Sequence, residues 1–120
     1  MKSEQFDEIV ENRLAKCVKV LCNKANEYAT GGDRLHNFKR AGTMLDITPE
    51  KALEGMLVKH LVSVQDLINV PEKATLGLID EKIGDVLNYF LLLESLLVER
   101  LGASVHRVVP ATEFKIGEAE

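Results

Sequence analysis

The chain has 120 residues, enough for one domain, and 46% of them are hydrophobic, enough to build a core. Aromatic residues make up only 5% and tryptophan is absent, which suits Leu-rich helix packing and argues against a β sandwich. With 15 basic and 19 acidic residues the formal net charge is −4, so nucleic acid is not an expected partner.

Lys2, Glu4, Asp7 and Glu8 interrupt the start of the chain, so no signal peptide is expected. Ser3 is placed to cap a first helix over about Ser3–Ala29, on which Phe6, Val10, Leu14, Cys17, Leu21, Ala25 and Tyr28 recur in steps of three and four. Cys17 and Cys22 are five apart on that helix and project in different directions. They are expected as reduced thiols of a cytoplasmic protein. Thr30-Gly31-Gly32 breaks the helix. Asp33 is a natural N-cap for a short helix over about Arg34–Leu45, which carries Leu35, Phe38 and Met44. Thr48-Pro49-Glu50 then gives the strongest start signal: a cap, a proline at the first helical position and an acid in the first turn. The second long helix runs to about Asn69, with Leu53, Leu57, Leu61, Val64 and Ile68 as its apolar side. Val70–Gly77, containing Pro71, reads as a loop.

The last long helix is DEKIGDVLNYFLLLESLLVERL, Asp80–Leu101, with Gly102 as its C-cap. Its longest uninterrupted apolar run, Phe90 to Leu93, ends at Glu94, too short for a membrane span. Between Val86 and Val98 it is apolar almost all round. A 120-residue monomer has trouble covering such a helix on every side, so a homo-oligomer is expected, with this helix central. Val105–Val109 is expected as a short extended piece. The single helical domain is bounded at 1–109, and 110–120 reads as a mobile or partner-bound tail. The fold expected is all-α: an antiparallel bundle of three main helices plus a short one, completed by oligomerisation.

On this apolar last helix Glu81, Asp85 and Asn88 recur at i, i+4 and i+7 and therefore point to one side. Two carboxylates and an amide are costly in a dry core and become favourable when they hold a cation or a cationic partner. Glu81 and Asp85 are hard oxygen ligands one turn apart, suited to Mg²⁺ or Mn²⁺, which keep waters for a phosphate to displace. The second long helix has its own polar stripe, Lys59, Ser63 and Asp66, with His60 beside it. If the two helices pack antiparallel, Asp66 lies near the level of Glu81 and Lys59 nearer Asn88. Two arrangements satisfy these groups. In one, Asp66, Glu81 and Asp85 surround a cation while Lys59 and His60 face phosphate oxygens. In the other, Lys59 forms a salt bridge with Asp85 and Asn88 hydrogen-bonds across the core.

A second constellation runs from Lys24 and Glu27 through Tyr28, Gly31, Gly32, Asp33 and Arg34 to Asn37 and Phe38. A helix end, a glycine break and a helix start bring backbone N–H groups, aromatics and an arginine together, a place to hold a base and a phosphate. Equally, Asp33 is a cap, Phe38 a core residue and Arg34 a solvated charge. His36, His60 and His106 show no metal-ligand spacing, the cysteines have no histidine in helical register, and no P-loop or Rossmann glycine pattern occurs.

The strings EYATGGDRLHNFKRAG, TPEKALEGMLVKHLVSVQDLI and IDEKIGDVLNYFLLLESLLVER resemble a group of small phage and prophage proteins related to the MazG-like, all-α nucleoside triphosphate pyrophosphohydrolases. The resemblance covers roughly Glu27–Arg100. Its specific parts are Lys59-His60, Asp66, and Asp80 to Asp85 with Asn88-Tyr89. The last of these is similar to the ExxD half of the pyrophosphohydrolase signature, whose acids hold Mg²⁺ on the triphosphate while water attacks a phosphorus. Two departures stand out. Where the family's second helix carries an ExxE pair, Lys59 to Asp66 holds one acid. The first acid of ExxD falls on Lys82 when Asp85 is the second, leaving Asp80 and Glu81 as nearby substitutes.

What the resemblance implies is an Mg²⁺-dependent (or Mn²⁺-dependent) hydrolase that splits a nucleoside triphosphate, including deoxynucleotides, into monophosphate and pyrophosphate. Glu81 and Asp85 are then the expected catalytic residues, Asp66, Glu81 and Asp85 the metal ligands, and Lys59, His60, Asn88, Arg34, Asn37 and Tyr28 the substrate-binding residues. Tyr28 or Phe38 is expected at the base, and Lys59 or Arg34 at phosphate. The alternative from a different class is a non-catalytic helical nucleotide-binding or regulatory module in which the acidic stripe is structural.

Overall fold

The computed structural model describes residues 1–24 and 32–105. The order is α1 (Ser3–Val18), a π-helical turn (Lys19–Lys24), α2 (His36–Leu45), α3 (Pro49–Asn69), a 3₁₀ turn (Pro71–Lys73) and α4 (Leu76–Leu101). The architecture is all-α, with no strand among the described residues. No helix among them is long and apolar enough to cross a membrane. The expected end of the first helix at Ala29, its Tyr28 and the tail 110–120 lie outside the described residues.

Local chemistry explains most of the boundaries. Thr48 caps α3, its side chain accepting from the Lys51 N–H at 3.1 Å, and Pro49 fills the first helical position without wasting a donor. Thr75 caps α4 in the same way, accepting from Leu78 N–H at 3.1 Å, so α4 begins four residues before Asp80. Gly102 closes α4 in the left-handed region at φ 65°, as its position after the last apolar residue predicted. At the start of α1 the backbone N–H of Lys2 donates to Gln5 Oε1, so Ser3 is the first helical residue and not the cap.

Three pairs fix the antiparallel register of α3 and α4. Glu50 at the start of α3 takes two hydrogen bonds from Arg100 at the end of α4, from Nε at 2.5 Å and Nη2 at 2.8 Å. His60 faces Asp85, and Lys82 Nζ donates to the Ser63 carbonyl at 3.2 Å. The core lies where α2 joins this pair: Leu35, Phe38, Leu53, Leu57 and Leu96, flanked by Met56, Tyr89, Leu92 and Leu93. Phe38 meets Tyr89 edge-on at 6.2 Å. Lys39 adds a polar tie, reaching both Asp33 at 2.7 Å and Glu99 at 2.6 Å.

The apolar faces read from the sequence are only partly buried. Leu53 and Leu57 are inside, but Leu61 and Ile68 are exposed. In the first half of α3 the buried and half-buried stripe is instead Ala52, Leu53, Met56, Leu57 and His60, rotated from the one expected. On α1 only Cys17 is buried, while Phe6, Ile9, Val10 and Leu14 are exposed. Met44 on α2 is exposed as well.

The turn from α2 to α3 depends on Gly42. The Ile47 N–H closes back onto the Gly42 carbonyl at 2.9 Å, with Asp46 at φ 56°. The chain then crosses so closely that a Cβ on Gly42 would lie 2.8 Å from the Ile47 carbonyl oxygen and 3.1 Å from Pro49 N, both backbone atoms. Gly55, by contrast, is exposed in the middle of α3 with nothing within 4 Å of a Cβ. In urea unfolding, Gly42→Ala is expected to cost about 1–3 kcal/mol, and Gly55→Ala to add about 0.5–1 kcal/mol. Equal effects at the two positions would contradict this turn geometry.

Candidate functional site

The polar stripe of α4 faces α1. Between them lies a cavity of about 290 Å³. Asp80, Glu81, Gly84, Asp85 and Asn88 line one wall, and Arg13, Lys16, Cys17, Lys19 and Val20 the other. The spacing of Glu81, Asp85 and Asn88 thus does what a helix dictates: it delivers three oxygen-bearing side chains to a single wall. The opposite wall has its own helical spacing, with cations at 13, 16 and 19 around the join of α1 and the π-helical turn.

Arg13 is the best-buried charge of the site, its side chain 19% exposed. Its Nη2 donates to Asp80 Oδ1 at 2.5 Å, and Lys16 Nζ donates to the same oxygen at 3.0 Å. Gly84 makes the approach possible, since a Cβ there would sit 2.8 Å from Arg13 Nη1. A glycine inside a helix costs about 0.5–1 kcal/mol relative to alanine, and here that cost creates a notch for a guanidinium. The hydrogen bond from Lys16, then that from Arg13, hold the Asp80 carboxyl below the usual carboxylate range.

Asp85 sits between two environments. It lines the cavity, and its Oδ2 lies 3.5 Å from His60 Nδ1 across the α3–α4 seam. His60 stacks at 4.8 Å on Tyr89, a tilted ring pair. The contact with Asp85 is too long to be a strong hydrogen bond, and the Asp85 side chain remains 44% exposed. Asn88 carries an anomaly: its Oδ1 is buried and takes no hydrogen bond from the described residues. An orphaned buried acceptor costs about 1–3 kcal/mol, and this one stands in the cavity wall. Cys17 is a buried thiol whose pKa burial pushes up, only partly opposed by Arg13, so the thiolate is disfavoured. Cys17 and Cys22 are both free.

The other expected site residues are scattered. Asp66 is exposed on α3 and does not line the cavity. Among the described residues no group of three or more His, Cys, Asp and Glu side chains is placed to hold a metal ion, so the three-carboxylate convergence of Asp66, Glu81 and Asp85 is not seen within the chain. Lys59 is exposed, and the neighbour of Asp85 on α3 is the His60 imidazole, one residue further round the helix. Asn88 Oδ1 likewise accepts no bond across the core from the described residues. In the second constellation Phe38 is core, 7% exposed, and is closed to a base. Asp33 is not the cap of α2, whose N-cap position is Leu35 without a side-chain cap; its Oδ1 accepts from Leu35 N–H at 2.9 Å in the turn before the helix. Arg34 donates to the Leu21 carbonyl, beside a separate cavity of about 590 Å³ along Leu21, Leu91 and Leu92. Asn37 is exposed on α2 and lines neither cavity. Tyr28 lies outside the described residues.

Arg13, Lys16 and Lys19 were not singled out from the sequence. Two signals pointed to them: the three-residue spacing of cations, and a glycine inside an otherwise strong helix, which asks for a close neighbour. Comparison with family models, curated proteins and solved structures finds no match for the chain.

Acid should report the Arg13–Lys16–Asp80 cluster. Because the folded pKa of Asp80 is depressed, its stabilising contribution is present above the unfolded carboxylate value of about 3.9 and is lost as pH falls through the folded value. Below about pH 4 the melting temperature of Asp80→Asn is expected to fall less steeply than that of the parent protein. Parallel acid profiles would show that the cluster contributes nothing.

Proposed function

We propose that the cleft between α1 and α4 binds a nucleoside triphosphate together with Mg²⁺ or Mn²⁺, and that the protein is a MazG-like pyrophosphohydrolase acting on (deoxy)nucleotides. One observation carries this reading: a single cavity sets the oxygens of Glu81, Asp85 and Asn88 opposite the cations of α1. All three donors are hard oxygens, and few protein carboxylates with retained waters is what Mg²⁺ prefers. The buried, unpartnered Asn88 Oδ1 supports the same idea, because a ligand would relieve it. The cavity is at the small end for a ligand site, a size suited to a phosphate chain. The nucleoside would extend along α4 toward Leu21, Leu91 and Leu92.

In this scheme Glu81 and Asp85 hold the cation, and Glu81, the more exposed of the two, also orients a water toward phosphorus. The bound cation would neutralise phosphate charge and polarise that water. His60 limits the swing of the Asp85 carboxylate from behind. The α1 cations take the charge of the phosphate chain. Asp66 and Lys59 have no part in it, and Tyr28, Asn37 and Arg34 are not needed for the phosphate end.

A second reading, a non-catalytic nucleotide-binding or regulatory module, is favoured by one feature. Asp80, the acid beside the stripe on the same wall, is already paired with Arg13 and Lys16. Asp85→Asn separates the two. Asn keeps the size, and the position is partly exposed, so stability without metal is expected to change by less than about 0.5 kcal/mol. Mg²⁺-dependent nucleotide binding and pyrophosphate release are expected to fall by about tenfold or more. Unchanged Mg²⁺-dependent binding in this variant would rule out the cation-holding role.

We also propose that the protein works as a homo-oligomer. Val58, Leu61 and Val62 on α3 and Leu87, Phe90 and Leu97 on α4 are exposed. A groove of about 460 Å³ runs between Val58, Leu61 and Phe90. Light scattering at micromolar concentration is expected to give a multiple of the 13.4 kDa chain mass. A stable monomer would contradict this.

A further inference from the structure

We propose that Arg13 and Lys16 form an oligophosphate subsite that Asp80 occupies in the free protein, its carboxylate standing in for a phosphate group. The inference rests on the reading of the α1–α4 cleft as a phosphate-binding site, and it adds to that reading a role for Asp80, whose carboxylate the α1 cations hold until a phosphate chain replaces it. Both cations converge on a single oxygen, Asp80 Oδ1, at 2.5 and 3.0 Å. A guanidinium carries five N–H donors in a planar fork, yet among the described residues Asp80 Oδ1 is the one acceptor that Arg13 reaches. Its Nη1 is packed over Gly84, at the cavity wall. A phosphate chain offers acceptors on several oxygens and more than one negative charge, so it satisfies the fork and the ammonium better than one carboxylate oxygen does. The exchange costs little, because the Asp80 side chain is already 44% exposed and can turn into water.

The arrangement also explains Gly84. The notch fits a guanidinium whether its acceptor is Asp80 or a ligand, so Arg13 is held in place before the ligand arrives. Asp80 then acts as a charge threshold. A singly charged anion gains nothing over the carboxylate it must displace, whereas a diphosphate or triphosphate does. The subsite therefore discriminates by charge and by number of oxygens, and takes the phosphate end of the substrate without reading its base.

Binding of inorganic tripolyphosphate in EDTA tests this apart from the metal and the nucleotide. Asp80→Asn leaves a neutral amide as a weaker competitor for Arg13 and Lys16 and removes one like charge, and is expected to bind tripolyphosphate about tenfold more tightly than the parent protein. Arg13→Gln or Gly84→Ala added to Asp80→Asn is expected to abolish that gain. The added Cβ would push the guanidinium from its notch while favouring the helix. In the parent protein, tripolyphosphate is expected to shift the Asp80 carboxyl carbon resonance as its partners leave, a readout independent of whether the variants fold. An affinity unchanged by Asp80→Asn, or an Asp80 resonance unmoved at millimolar tripolyphosphate, would overturn the proposal. The first of those results would leave Mg²⁺-dependent nucleotide binding at Glu81 and Asp85 standing.

Discussion

The placement of α1 rests on Arg13. This helix buries only Cys17 and leaves Phe6, Ile9, Val10 and Leu14 exposed, so apolar packing does little to set it against α4. What sets it is a guanidinium lodged over Gly84 and bonded, with Lys16, to Asp80. Without the guanidinium over Gly84 there is no opposite wall, and the polar stripe of α4 faces water. The cleft and the docking of α1 are therefore one feature. Each partner is partly exposed, so the pairs contribute modestly to stability, and their main effect is geometric.

The rest of the bundle is held differently. Packing of Leu35, Phe38, Leu53, Leu57 and Leu96 joins α2, α3 and α4. The bidentate Arg100–Glu50 pair ties the end of α4 to the start of α3. This unit supplies the wall carrying Glu81, Asp85 and Asn88, with His60 behind it against Asp85 and Tyr89. A hydrophobic unit presenting polar groups to a loosely packed, cation-bearing helix suits a site that must admit a charged ligand. Much apolar surface stays exposed on α3 and α4, away from the cleft.

The sequence made the helices legible where a cap or a period was local. Thr48-Pro49 marked the start of α3, Gly102 the end of α4, and the i, i+4, i+7 spacing put Glu81, Asp85 and Asn88 on one wall. Properties set by partners were not legible. Each residue along a helix turns the face by about 100°, so choosing Leu61 and Ile68 over Met56 and His60 rotated the inner face of α3. Lys59 was thereby paired with Asp85 in place of His60. The end of α1 was hidden because the chain passes into a π-helical turn after Val18 without any breaker residue. Thr75 marked a start for α4 that the glycine at Gly77 concealed. Arg13 went unread because its importance comes from a glycine far away in sequence.

The central claim is that one ligand touches both walls of the cleft. Chemical-shift mapping of the labelled protein with Mg²⁺ and a nucleoside triphosphate tests it most directly. The account predicts perturbations at Arg13 and Lys16 on α1 together with Glu81, Gly84, Asp85 and Asn88 on α4, fading toward α2. Perturbations confined to the Val58–Leu61–Phe90 groove, or identical spectra with and without Mg²⁺, would contradict it.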